Sequence, residues 1–318
     1  MSDESANPSR SRLLAAARSG DAQAHFDFWD HYAYEPGSLK WLKRAAEQGH
    51  AEAQADLGWY YHSDSRPKRR DLTLKWWRRA AKQGDAETAT YLGELLRDGD
   101  GVRTNNREAY RWLLAAAEQG EPAAQLSAGY ALFYGQGVKR DMTAALRWYR
   151  RAARHGDHRS GAMFNIGQMY RKGDGVPQSW ANALAWYRKA AALGNVGAMH
   201  WLGRVYNGHE DYPGNERAAV RWLSRAAEKG DAQSQCDLGV RYNNGRGVPV
   251  DLARAARLYR ASAEQEDSWA CYLLGLCYRD GDGVRRNRRV ARVWFKRAAD
   301  AGEKKAVNAL RDLAEVGE

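Results

Sequence analysis

The chain has 318 residues, 44% of them hydrophobic and 28% charged, a balance that can supply a core and excludes a disordered polyampholyte. Its net charge is +11, which favours acidic partners without selecting one. No run approaches the roughly 18 apolar residues of a membrane helix, and Met1 to Gly20 carries Asp3, Glu4, Arg10, Arg12 and Arg18 without an apolar stretch of signal-peptide length. Cys236, Cys271 and Cys277 form no CxxC spacing and read as small buried thiols in helices. A cytoplasmic location is the expectation.

In chain order, residues 1–8 read as a disordered start. Residues 9–48 read as a degenerate capping repeat, with a second-type helix over Leu13 to Arg18 and a first-type helix over Asp21 to Tyr34. From there one pattern recurs at intervals of about 36 residues, which is the sequence sign of a repeat array. A glycine follows an Ala-Ala pair at Gly49, Gly84, Gly120, Gly156, Gly194, Gly230 and Gly302, and Glu266 takes the same place once. A second glycine sits in phase at Gly58, Gly93, Gly129, Gly167, Gly203, Gly239 and Gly275. Gly-x-Gly-Val turns follow at residues 99–102, 135–138, 173–176, 245–248 and 281–284. The units run 49–83, 84–119, 120–155, 156–193, 194–229, 230–265 and 266–301, and 302–318 closes the array with a helix and a tail.

Each unit reads as two helices. Helix A is capped by Asp85, Asp157, Asn195, Asp231 or Asp267, whose side chains can accept orphan N–H groups. Its internal glycine costs about 1 kcal/mol relative to alanine, so two helix backbones are expected to approach closely there. Gly-x-Gly ends helix A because left-handed backbone angles are inexpensive for glycine. Helix B follows, capped by Asn105, Asp141, Ser179, Asn215, Asp251 or Asn287. Trp112, Trp148, Trp186, Trp222, Leu258 and Trp294 are expected to fill the groove between units, so Trp148→Ala or Trp186→Ala should cost about 3–5 kcal/mol. Two stretches depart from the pattern: residues 63–67 are short and lack glycine, and residues 207–213 have lost the turn.

At Ala-Ala-x-x-Gly, Leu-Gly-x-x-Tyr and Gly-x-Gly-Val the chain resembles the Sel1-like repeat family, relatives of the tetratricopeptide repeats, over about 80% of its length. The resemblance implies an all-α, right-handed superhelical α-solenoid of antiparallel helix hairpins. It further implies a scaffold for protein–protein contacts, of the kind found in bacterial signalling, envelope biogenesis or secretion-linked complexes, and it does not imply one reaction or one partner. No catalytic activity and no cofactor are expected. Secreted relatives can carry a cysteine pair in each repeat. This chain does not, in line with a cytoplasmic location.

Motifs for chemistry are weak. No Gly-x-Gly continues as a phosphate loop, and Ser65-x-x-Lys68 lacks the other penicillin-binding elements. His155 and His158 have no further ligands for a metal. Basic residues crowd helix B, including Lys75, Arg78, Arg79, Arg147, Arg150 and Arg151. They read as a solvated outer face whose stems cover apolar surface. A nucleic-acid or other polyanion binder is the alternative, since Trp and Tyr are interleaved with them.

Carrying over the tetratricopeptide phase, in which helix A lines the concave groove, the resemblance nominates Thr90, Glu94 and Arg97, then Phe164, Gln168 and Arg171, then His200, Arg204 and Asn207, then Asn243, Trp269, Tyr272 and Arg279. The arginines among them suit an acidic protein or peptide, because a guanidinium can hold a carboxylate in two parallel hydrogen bonds. The competing reading is that these are ordinary surface positions. No small-molecule substrate and no membrane is expected as a partner.

Overall fold

The computed structural model describes residues 8–33, 35–64, 68–206 and 214–315. The expected disordered start therefore lies outside the described residues except for Pro8, which opens a helix. Residues 65–67, 207–213 and 316–318 lie outside them too. Every regular element among the described residues is helical, and no strand occurs there. The chain divides into two compact units, Met1–Arg159 and Ser160–Glu318.

Unit 1 holds α1 (Pro8–Arg18), α2 (Ala22–Tyr32), α3 (Leu39–Glu47), α4 (Ala51–Trp59), α5 (Arg70–Lys82), α6 (Ala86–Asp98), α7 (Asn106–Glu118), α8 (Pro122–Tyr134) and α9 (Met142–Ala152). Helix α4 runs on into a π-helical turn over Tyr60–Asp64. Unit 2 holds α10 (Arg159–Lys172), α11 (Trp180–Ala192), α12 (Val196–Val205), α13 (Glu216–Glu228), α14 (Ala232–Asn244), α15 (Leu252–Ala263), α16 (Ser268–Asp280), α17 (Arg288–Asp300) and α18 (Lys304–Glu315). Within each unit consecutive helices pack together, α10 on α11 through Gly167 and Gln168 against Tyr187, and α6 meets α8 as α12 meets α14. The even-numbered helices are the A helices, and the odd-numbered ones are the B helices.

Local chemistry sets the helix starts. Asp85, Asn195, Asp231 and Asp267 each accept the N–H three residues on, and so do all six expected caps of helix B. Asp157 does not cap its helix. The residues inserted after it lengthen the turn, and α10 begins at Arg159. Gly99, Gly135, Gly245 and Gly281 end their A helices in the left-handed region, with φ between 69° and 90°. The second glycine of the turn has a different duty. A Cβ on Gly137 would lie 2.0 Å from the Asn106 carbonyl oxygen, so this turn lies hard against the start of the preceding B helix.

The glycine inside helix A brings backbones close, as expected: a Cβ on Gly93, Gly129, Gly203 or Gly239 would lie 3.1–3.4 Å from a backbone atom of the B helix. It also receives a large side chain, at still shorter range. The residues that press on Gly58, Gly93, Gly129, Gly167, Gly203, Gly239 and Gly275 are Trp77, Leu113, Tyr149, Tyr187, Leu223, Tyr259 and Phe295. Each is at most 2% exposed, and together they form the central knob of every repeat.

The tryptophan series stands one position from this knob and packs on the edge of the core, Trp112 and Trp148 on one cluster, Trp222 and Trp294 on two others. Trp148, Trp186, Trp222 and Trp294 are half-buried, because one step along a helix turns the side chain by about 100°. Their faces are covered from their own helix. Arg44, Arg79, Arg151, Lys189, Arg225 and Arg297 lie over Trp41, Trp76, Trp148, Trp186, Trp222 and Trp294 at 4.4–5.0 Å, each three residues further along. Much of the helix-B basic crowd is thus built into Trp-x-x-Arg and Trp-x-x-Lys pairs. Trp112 has Ala115 in that place and instead donates its indole N–H to Glu108 at 3.3 Å, while Arg78 of the previous B helix bonds the same carboxylate at 2.8 Å.

All three cysteines are buried and free. Burial pushes each thiol above its ordinary value, Cys277 to about 11. No described helix is long and apolar enough to cross a membrane.

Candidate partner-binding site

The A helices present their free side in both units, and the nominated residues are not equally available there. Thr90 is buried, and its hydroxyl donates to the Ala86 carbonyl at 2.8 Å, so it serves the helix rather than a partner. His200 is also buried. Its Nδ1 lies 2.9 Å from the Ser234 hydroxyl and 3.5 Å from an Asp231 carboxylate oxygen, while its Nε2 has no hydrogen-bond partner. Burial raises the Asp231 carboxyl, but the bonds from His200 and Ser234 prevail and hold it below the usual range. Thr90 and His200 are therefore interior positions, because their place in the helical phase turns them toward the neighbouring hairpin. Asn207 lies outside the described residues.

In unit 1, Glu94 accepts from Ser127 at 3.2 Å, and Arg97 is paired with Asp98 at 2.8 Å. The larger surface features there are aromatic. The Trp59 and Tyr91 rings meet edge to face at 4.6 Å, and Tyr130 and Tyr134 lie 4.4 Å apart and are both exposed.

In unit 2 the residues gather into two clusters. In the first, the Gln168 side-chain oxygen accepts both from Arg171 at 2.8 Å and from the buried Tyr187 hydroxyl at 3.0 Å. Arg171 then lies over the Trp201 ring at 4.1 Å, and Arg204 approaches the same ring at 5.2 Å. Phe164 packs half-buried beside Gly197 and Tyr187. In the second cluster the Trp269 and Tyr272 rings lie 5.2 Å apart at a tilt of 32°, with Lys305 over Trp269. Asn243 bonds only its neighbour Asn244, and Arg279 is engaged by Asp280 at 2.7 Å. Arg204 directly follows its helix glycine, as Gln168 does, so it does not share the phase of Arg97, Arg171 and Arg279. No group of three or more His, Cys, Asp or Glu side chains that could hold a metal ion exists among the described residues.

The Sel1 repeat pattern matches residues 37–50, 51–85, 86–121, 122–157, 160–195, 196–231, 232–267 and 270–303. The chain belongs to the Sel1 repeat family. Among solved structures it is similar to a Sel1 repeat protein from Oxalobacter formigenes, at 30% identity and TM-score 0.84, covering 98% of this chain and 91% of that one. It is also similar to a protective antigen of uropathogenic Escherichia coli, at 31% identity and TM-score 0.79, covering 96% of this chain and 67% of that one. No curated protein matches the chain.

The Sel1 register also exposes what the sequence reading missed. Trp59 and Tyr130 directly follow Gly58 and Gly129, the same phase as Gln168 and Arg204, and that phase alone was enough to nominate them. A second signal is Arg241. It stands two residues after Gly239, where five other repeats place Leu95, Ala131, Met169, Val205 and Cys277, all buried and apolar, and the first places the half-buried Tyr60. Arg241 is buried there as well.

Proposed function

We propose that this Sel1 repeat protein is a non-catalytic scaffold that holds a partner protein through the free side of its A helices, with an acidic peptide segment seated on unit 2. The family's general role in protein–protein contacts supports the class of function. The observation that carries the finer reading is the Trp201 cluster. Two guanidinium groups approach one indole, one of them oriented by Gln168. Aromatic and arginine side chains are the usual anchors of protein interfaces, and Arg171 and Arg204 supply donors for carboxylates.

The polyanion reading draws less support. Nucleobases bind by stacking on open aromatic faces. On the B helices those faces carry their own arginines and lysines. The test is affinity purification with wild-type chain and with an Arg171→Glu, Trp201→Ala variant. The scaffold reading expects the variant to lose the co-purifying partner while still melting cooperatively as a folded chain. An identical set of partners would overturn the placement on unit 2. A mobility-shift titration with nucleic acid at low salt should give no complex.

A further inference from the structure

Unit 2 contains a cavity of about 140 Å³ lined by Gly203, Arg204, Leu223, Asp237, Val240, Arg241 and Arg246. Three arginines and one aspartate therefore meet in a space large enough for a few waters or one small acidic group. Arg204 and Arg246 are exposed at its rim, and Arg241 is only 4% exposed. A buried guanidinium has five donors to satisfy. The one hydrogen bond Arg241 makes is long, 3.5 Å to the Arg246 carbonyl, and no carboxylate approaches it within ion-pair distance among the described residues.

Two departures from the repeat meet at this place. Arg241 occupies a register that carries buried apolar side chains in five other repeats and the half-buried Tyr60 in the first. Arg246 is the middle residue of a Gly-x-Gly turn that elsewhere carries Asp100, Gln136, Asp174 or Asp282. A single buried charge without good partners destabilises a fold. Two added cations open into one cavity, and among the described residues the Arg246 carbonyl is the one hydrogen-bond acceptor that reaches the Arg241 side chain.

We propose that this cavity is a carboxylate-binding pocket, in which Arg241 and Arg246, with Arg204 at the rim, clamp one carboxylate of a partner polypeptide. The proposal deepens the scaffold reading above and rests on it for the nature of the partner. Asp237 fits the same role. Burial pushes its carboxyl up although His200, Arg204 and Arg241 pull it back, and it has no hydrogen-bond partner among the described residues, so it can accept a peptide N–H adjacent to the bound carboxylate. The carboxylate can come from a chain end or from an Asp or Glu side chain, and the two are separable by experiment.

The experiment follows the Arg Nε–Hε signals of the full chain by NMR while N-acetylglycine, a chain-end mimic, or the 1-amide of N-acetylglutamate, a side-chain mimic, is added to millimolar concentration. Saturating shifts of Arg204, Arg241 and Arg246 are expected with at least one of the two, and the tighter one assigns the source. N-acetylglycinamide, which has no carboxylate, should move none of them. Arg241→Met restores the apolar type found at Met169 in this register, so it should melt at the wild-type temperature or higher while abolishing the response of Arg204 and Arg246. Arg246→Gln, in an exposed turn, should weaken the response at unchanged melting temperature. Absence of saturation with both carboxylates, equal shifts with the amide, or an intact response in Arg241→Met would overturn the pocket. If the pocket fails while the Trp201 variant still releases the partner, the scaffold reading stands without it. If carboxylates bind while that variant releases nothing, the pocket stands and the placement on the Trp201 cluster falls.

Discussion

The ring of Tyr149 rests directly on Gly129: a Cβ at residue 129 would come within 2.7 Å of two ring carbons. The same knob and socket recur through the array, so the helix-A glycine is a seat for one large side chain. Tyr149→Ala should therefore cost about 3–5 kcal/mol of unfolding free energy. Trp148→Ala, next to it but half-buried, should cost well under half of that. Gly129→Ala should be destabilising although alanine is the better helix former, since the ring has no room to move aside. Denaturant melts of the three variants test this ordering. Equal costs for Tyr149→Ala and Trp148→Ala would return the tryptophans to the core.

Glu266 is the one non-glycine residue at positive φ, 67°, among the described residues. It stands where the other repeats have glycine, and the left-handed region costs an L residue about 1–2 kcal/mol. Glu266→Gly should raise stability by about 1 kcal/mol, less the extra freedom glycine has in the unfolded chain. Thermal melting checks the sign.

The thiols give a readout of packing. Cys236, Cys271 and Cys277 are buried, and burial raises all three, Cys277 to about 11. The thiolate is the reactive form, so near pH 8 a thiol reagent should label the native chain only slowly. Labelling should accelerate as pH rises toward 11 and be complete at once in denaturant. Rapid labelling of the native chain at pH 8 would mean that the hairpins around α14 and α16 open far more often than their packing implies.

Much of the fold was legible because its determinants are local. A cap at Asn215 or Asp251, a glycine at Gly135 and an Ala-Ala pair act within a few residues, and repetition shows each of them many times. The central knob was misplaced by one residue. Trp148 and Tyr149 are both large and apolar, and composition cannot say which of two neighbours faces inward; only the contact with Gly129 decides it. The site was legible in part. Arg171, Arg204, Trp269 and Tyr272 come from phase alone, but phase also nominated Thr90 and His200, whose burial depends on the next hairpin. Arg97 and Arg279 looked free in sequence and are each held by the aspartate that follows them. Arg241 was missed because a charge in a core register stands out only once the register is known.

The most direct test of the account is the affinity of the purified chain for a partner captured by it, measured by titration calorimetry for three proteins. These are the wild type, an A-helix variant with Trp201→Ala and Trp269→Ala, and a B-helix control with Arg147→Gln and Arg221→Gln. The account predicts that the A-helix variant weakens binding at least tenfold, about 1.4 kcal/mol, while the control stays near wild type. A control that weakens binding as much, or an A-helix variant that binds like wild type, would contradict it.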